Sequence, residues 1–186
     1  SVQQEDLIFT IKDLIIDNSK AIFFYSIENK GDHKYISVHE FSIRGQQGER
    51  VKAFTSFWSF PEDLSVERTM ENMVTSDFAD DYEIPDKLYI EVILAEFESE
   101  QYSYEERTIL PYSFEYEITV DKDLFANMTE TYQINEEVVI EGQRFTFESL
   151  NITPTRMALK VNYDEDNNKQ IFSFEDLELV DEKGEV

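Results

Sequence analysis

Asp164-Glu165-Asp166-Asn167-Asn168 comes nearest in this chain to a cation-binding loop. Asp164, Asp166 and Asn168 alternate as the first oxygen ligands of an EF-hand do, and Glu175 falls at its twelfth position. Hard cations such as calcium need several such oxygens on one tight loop. Lys169, however, stands at the sixth position, where the loop requires glycine, and the flanks read as strands. A hairpin turn is the better account of the segment. Weak calcium binding at this tip stays open as an alternative, as it does at Asp77, Asp80 and Asp81.

Other chemistry is poorly served. Paired carboxylates run glycoside hydrolysis, and Glu91 and Glu117 fall on neighbouring expected strands. Both occupy the polar phase of strands whose other phase is apolar, so solvated faces explain them. The two histidines, His33 and His39, are read as surface side chains. A zinc site would need carboxylates to complete it. There is no cysteine, hence no disulfide and no thiol nucleophile. The five glycines are scattered, and no Gly-x-Ser-x-Gly elbow occurs. No catalytic residue, metal or cofactor is expected, and the chain is read as no enzyme.

The aromatic run Phe54-Thr55-Ser56-Phe57-Trp58-Ser59-Phe60 is the better place to look for recognition. On a strand, Phe54, Trp58 and Phe60 share one face and Phe57 takes the other. The face with three rings is expected to be core. Phe57 and Trp58 are taken as candidate partner-binding residues.

The chain has 186 residues and a formal net charge of −25. Such a charge repels nucleic acid and anionic lipid and draws cations and basic partners. It also keeps a protein soluble. No apolar run approaches the ~20 residues that span a bilayer. Because the chain starts at Ser1, a leader or membrane anchor is expected to have preceded it.

Strand signals dominate the elements that would position these residues. Leu88-Ile90-Val92-Leu94 and Phe114-Tyr116-Ile118-Val120 alternate with polar residues, as half-buried strands do. Asn29-Lys30-Gly31-Asp32 reads as a hairpin turn, Asp121 to Glu136 as a polar junction. Pro61 to Glu83 admits either a helical turn or an irregular strand. Between Val38 and Phe41 the apolar phase slips, which points to a β-bulge or a strand crossing between sheets.

The pattern also recurs. Shifted by 136 positions, so that Leu7 falls on Gln143, the stretch Leu7 to Glu49 overlays Gln143 to Glu185 without a gap. Phe9-Thr10 meets Phe145-Thr146, Leu14 and Ile16 meet Leu150 and Ile152, and the slip recurs between Phe174 and Leu177. The expected fold is all-β: two tandem immunoglobulin-like β-sandwich domains, 1–120 and 121–186. The second is smaller, and its truncation at Val186 is one reading.

The stretch Tyr132-Gln133-Ile134-Asn135-Glu136-Glu137-Val138-Val139-Ile140-Glu141-Gly142-Gln143 is followed by Leu150-Asn151-Ile152-Thr153-Pro154-Thr155-Arg156 and by Phe174-Glu175-Asp176-Leu177-Glu178-Leu179. With Asp181-Glu182-Lys183-Gly184, these motifs resemble a family of Gram-positive bacterial membrane proteins. In that family a cytoplasmic segment and one membrane helix precede two immunoglobulin-like domains of unknown function outside the cell. Many of its members look like anti-sigma factors. The resemblance implies an extracytoplasmic, membrane-anchored, non-enzymatic sensor or interaction domain. Its partner would be a protein or cell-wall ligand, with no nucleic acid, and with the membrane met only through the missing N-terminal anchor. A structural spacer and a calcium-binding wall module are the alternatives.

Overall fold

A computed structural model describes residues 1–57, 62–65, 67–79, 82–99, 106–126, 128–169 and 183, with the backbone alone at Phe57, Phe125 and Ala126. The chain divides into two compact units, one of Ser1–Glu130 with Ile152–Met157 and one of Thr131–Asn151 with Ala158–Val186. It is an all-β sandwich protein. Its one helix among the described residues, α1 (Lys122–Ala126), is far too short to cross a membrane.

In the first unit, β1 (Val2–Gln4), β2 (Leu7–Ile16), β3 (Lys20–Asn29), β4 (Tyr35–Arg44), β5 (Ala53–Phe57), β6 (Glu62–Asp63), β7 (Thr69–Phe78), β8 (Lys87–Phe97) and β9 (Arg107–Thr119) form two sheets. One runs β1-β2-β3-β7-β5, the other β6-β4-β8-β9. The orders β2-β3-β7-β5 and β4-β8-β9 are those of a constant-type immunoglobulin domain. β1 is added beside β2, and β6 beside β4.

Strict alternation builds the interior. Ala21, Phe23, Tyr25 and Ile27 of β3 are buried, as are Leu88, Ile90, Val92 and Leu94 of β8. Rings tie the sheets together. Phe9 stacks on Tyr25 at 4.9 Å between centroids and lies 5.8 Å from Phe114 of the other sheet, while Phe23 meets Phe41 at 5.2 Å. Contacts of this kind add to the burial of large apolar area.

The phase slip of β4 is a β-bulge. The register against β8 shifts between Val38 and Glu40, so His39 is the extra residue. The bulge restores parity, and Ile36, Val38, Phe41 and Ile43 all reach the core. β2 has a similar irregularity between Ile11 and Asp13.

Three expectations are corrected. β3 pairs with β2 and β7, not with β4, so residues 29–34 carry the chain from one sheet to the other and form no hairpin. A Gly-Asp turn marks a reversal but does not say which sheet the next strand joins. Second, Pro61 to Glu83 contains a regular strand, β7, whose Met70, Val74 and Phe78 are buried. Third, the polar junction after Asp121 is largely structured, as α1 and then a long strand, β10 (Glu130–Ile140). Most of that strand is exposed, so no apolar alternation announces it.

The second unit, taken by itself, holds β10, β11 (Gln143–Ile152) and β12 (Met157–Tyr163) in one three-stranded sheet. Glu141 and Gly142, both at positive φ, make the tight turn between β10 and β11. β11 coincides with β2 under the shift of 136, and the left-handed Glu141 coincides with the left-handed Glu5. Phe145 is buried and meets Tyr163 edge-on at 5.4 Å. The strand expected over Gln170 to Glu178 lies outside the described residues.

Candidate interaction surface

β5 is an edge strand of the first unit. It pairs with β7 from Ala53↔Phe78 to Phe57↔Val74, and no strand among the described residues takes its other side. Two hydroxyl pairs fasten it: Thr55 to Ser76 and Ser56 to Thr75, each at 2.9 Å. Cross-strand pairs of this sort are what hold a short strand to its neighbour.

Val51 is buried and Ala53 half-buried, whereas Arg50 and Lys52, in the crossing that leads into β5, and Phe54, on the strand, are exposed. Phe54 is 75% exposed. This overturns the expectation of a core face at Phe54. Its partner position, Asp77, belongs to the outer face of the sheet and forms an ion pair with Lys20 at 3.0 Å. Phe57 is in register with the buried Val74. The Phe57 side chain, together with Trp58 and Phe60, lies outside what the structure describes.

A groove of about 370 Å³ opens beside this edge, lined by His39 to Ile43 of β4 and by Arg50, Val51 and Ala53 to Thr55. It exists because residues 45–52 carry the chain from one sheet to the other. On this side the Val51 N–H donates to the Ile43 carbonyl at 3.2 Å, and Arg44 and Arg50 form a bridge.

The outer face of the same sheet is apolar at its centre. Phe24 pairs with Met73, and Ile15 with Ile22. Met73 is 50% exposed, and Ile15 and Phe24 are exposed too. Ion pairs Lys12–Glu71 and Lys20–Asp77 lie at its margin. An apolar patch with a charged rim is the usual form of a contact surface.

The other candidate residues are occupied by structure. Asp164 Oδ1 accepts from the Asp166 N–H at 3.0 Å, and Asn168 Oδ1 accepts from Gln143 Nε2 at 3.2 Å. Gln143 Oε1 in turn accepts from the N–H groups of Asn168 and Lys169. These side chains therefore build a turn and staple it to β11. Glu175, Asp80 and Asp81 lie outside the described residues. Among the described residues, no three His, Cys, Asp or Glu side chains gather as a metal site.

Glu91 and Glu117 are not a pair. Glu91 stands opposite Glu115 and takes an ion pair from Arg44 at 3.2 Å, whereas Glu117 stands opposite Tyr89 and is bound by Lys87. Hydrogen bonds from Lys87 and Tyr89 hold the Glu117 carboxyl below its usual range. A general acid needs the opposite shift.

His33 is not the free surface side chain expected. It is only 17% exposed, and its ring nitrogens lie 3.0 Å from Asp6 Oδ1 and 3.2 Å from Glu96 Oε1. Asp6 precedes β2 in one sheet and Glu96 belongs to β8 in the other, so the imidazole spans the two. Nearby, burial, reinforced by Glu5, Asp6 and Glu96, pushes the Tyr112 hydroxyl up to about 12.

The exposure of Phe54 was not legible, because the aromatic run reads as one buried face. Fold and surface together define an all-β sandwich protein. Residues 129–186 match the Family of unknown function (DUF5643). No curated protein and no solved structure matches the chain significantly.

Proposed function

We propose that this chain is the outward-facing, non-enzymatic recognition part of a membrane-anchored regulator of anti-sigma-factor type. It docks a protein through the β5 side of the first unit. The observation that carries the reading is the apolar outer face of the β1-β2-β3-β7-β5 sheet, with Ile15, Phe24, Met73 and Phe54 exposed. A solvated sheet face is ordinarily polar, and an exposed apolar one is retained for contact. The extracytoplasmic placement and the regulatory role rest on the family resemblance of the strand motifs.

The test uses cells that carry the full gene. Added protease is expected to digest this region from outside intact cells. Phe24→Lys with Met73→Glu is expected to abolish the response of the promoter governed by the accompanying sigma factor, with the melting temperature unchanged. Protection from external protease, or a normal response in the double variant, overturns the proposal.

A further inference from the structure

We propose that the outer face of the β6-β4-β8-β9 sheet receives a lysine-bearing basic segment of a partner protein, with Ser42, Glu91 and Glu115 as the acceptors of one ammonium group. This surface belongs to the other sheet from the apolar face proposed above and does not rest on that reading.

The three residues make one row across three strands. Ser42 of β4 stands opposite Glu91 of β8, and Glu91 stands opposite Glu115 of β9. Their chain neighbours Phe41, Ile43, Ile90, Val92 and Phe114 fill the core, so the row points to the outer face. Carboxylates directly opposite one another on a sheet repel. Arg44 takes Glu91 at 3.2 Å and Lys87 takes Glu117, but Glu115 has no ion pair among the described residues. An independent observation falls in the same row. Ser42 is only 9% exposed, and its Oγ is buried with no hydrogen-bond partner among the described residues. A hydroxyl left in that state costs stability until something bonds to it. An ammonium carries three donors and no acceptor, which suits two carboxylates and one hydroxyl oxygen. A depression of about 430 Å³ lies over the β8–β9 end of the row, lined in part by Glu91, Glu115 and Tyr89. The Tyr89 ring there is 36% exposed, an apolar surface for the stem of the lysine.

Charge decides the occupant. A chain of net charge −25 draws a basic segment before contact and repels a second copy of itself or an anionic bilayer. A bare divalent cation fits less well, since no three carboxylate or histidine side chains among the described residues gather as a metal site.

The probe is an acetylated eight-residue peptide that alternates lysine and serine, and the control has glutamine for lysine. Each is titrated into the isotopically labelled chain while amide shifts are followed. The lysine peptide is expected to shift the amides of Ser42, Tyr89, Glu91 and Glu115 saturably and to weaken as salt rises, and the glutamine peptide to shift none. Glu115→Gln is expected to weaken the lysine peptide about tenfold, whereas the same change of charge at Glu137 of the second unit leaves its affinity unaltered. Ser42→Ala is expected to weaken it about threefold with the melting temperature unchanged, because the free chain has no hydrogen bond there to lose. Shifts spread over the acidic surface, equal weakening by Glu115→Gln and Glu137→Gln, or full affinity in Ser42→Ala overturns the inference. So do the same saturable shifts on adding calcium chloride alone, which would make the row an ion site. The cellular test reads Phe24 and Met73 on the other sheet, so failure of the lysine peptide leaves that docking role standing.

Discussion

The β2–β3 pair and the β11–β12 pair follow one strand pattern and end in different surroundings. Phe9 and Phe145 occupy equivalent positions under the shift of 136, and both are buried. One strand further the likeness stops. Tyr25 and Ile27 are buried, whereas their equivalents Val161 and Tyr163 are half-buried and exposed. The first pair is covered by β4, β8 and β9. The second lies in a sheet that, among the described residues, has no second layer. Strand pattern thus specifies pairing and register, while burial is conferred by whatever covers the sheet.

Ring removal should separate the pairs most. Phe9→Ala takes away a ring that touches Tyr25, Phe114 and Tyr116, and should cost about 3–5 kcal/mol by denaturant unfolding. Phe145→Ala loses a site that meets Tyr163 and should cost about half as much, leaving the first unit's transition in place. Equal costs, or a collapse of the first unit in Phe145→Ala, would break the comparison.

Acid should act through one turn residue, Asp17, which has no titrating equivalent. Asp17, after β2, is 1% exposed, while the equivalent position after β11 is Thr153, which cannot titrate. Burial alone would raise the Asp17 carboxyl. Hydrogen bonds from Thr155, Thr153 and Ser19 outweigh it and bring it from 3.8 to about 2. Thr155, in the segment counted with the first unit, donates to Asp17 Oδ2 through N–H at 2.9 Å and through its hydroxyl at 2.6 Å. Because the folded value is the lower one, this stability is complete above about pH 4 and is lost as pH falls through 2. Its size is about 2 kcal/mol. Asp17→Asn should flatten the acid limb of the stability curve by that amount, and an unchanged limb would remove Asp17 from the account.

The smallest effect lies in the leading turns. Gly142 at φ +78° has open space where a Cβ would stand, so Gly142→Ala should cost only the left-handed strain, about 1 kcal/mol. Glu5 already bears such strain at φ 50°. Glu5→Gly should therefore come within about 0.5 kcal/mol of neutral, strain relief offsetting the added chain entropy. Thermal melts of both variants would sharpen how far the two turns are alike.

What the residues alone disclosed follows the same division. Alternation located β8 and β9, and the slip at Val38 to Phe41 located the His39 bulge, because both are properties of one strand and its own side chains. The crossing after Asn29 was hidden, since a turn looks alike whether the chain returns to its own sheet or enters another. β10 was hidden because an exposed strand with Tyr132 and Ile134 among polar neighbours leaves no apolar phase. Phe54 was misplaced because an aromatic on an edge strand obeys the same period as one in the interior. The outer-face patch required knowing that β2, β3 and β7 lie side by side.

The interleaved strand order has a kinetic consequence. The first sheet draws on β5 and β7, and the second sheet begins with β4 and closes with β9. The interior ring Phe9 waits for Phe114, more than a hundred residues later, before it is covered. Contacts so distant along the chain demand loop closure before they return any stability, which makes folding slow. During synthesis, then, no stable sandwich forms until β9 is available, and the growing chain keeps its aromatic strands uncovered for most of its first 119 residues.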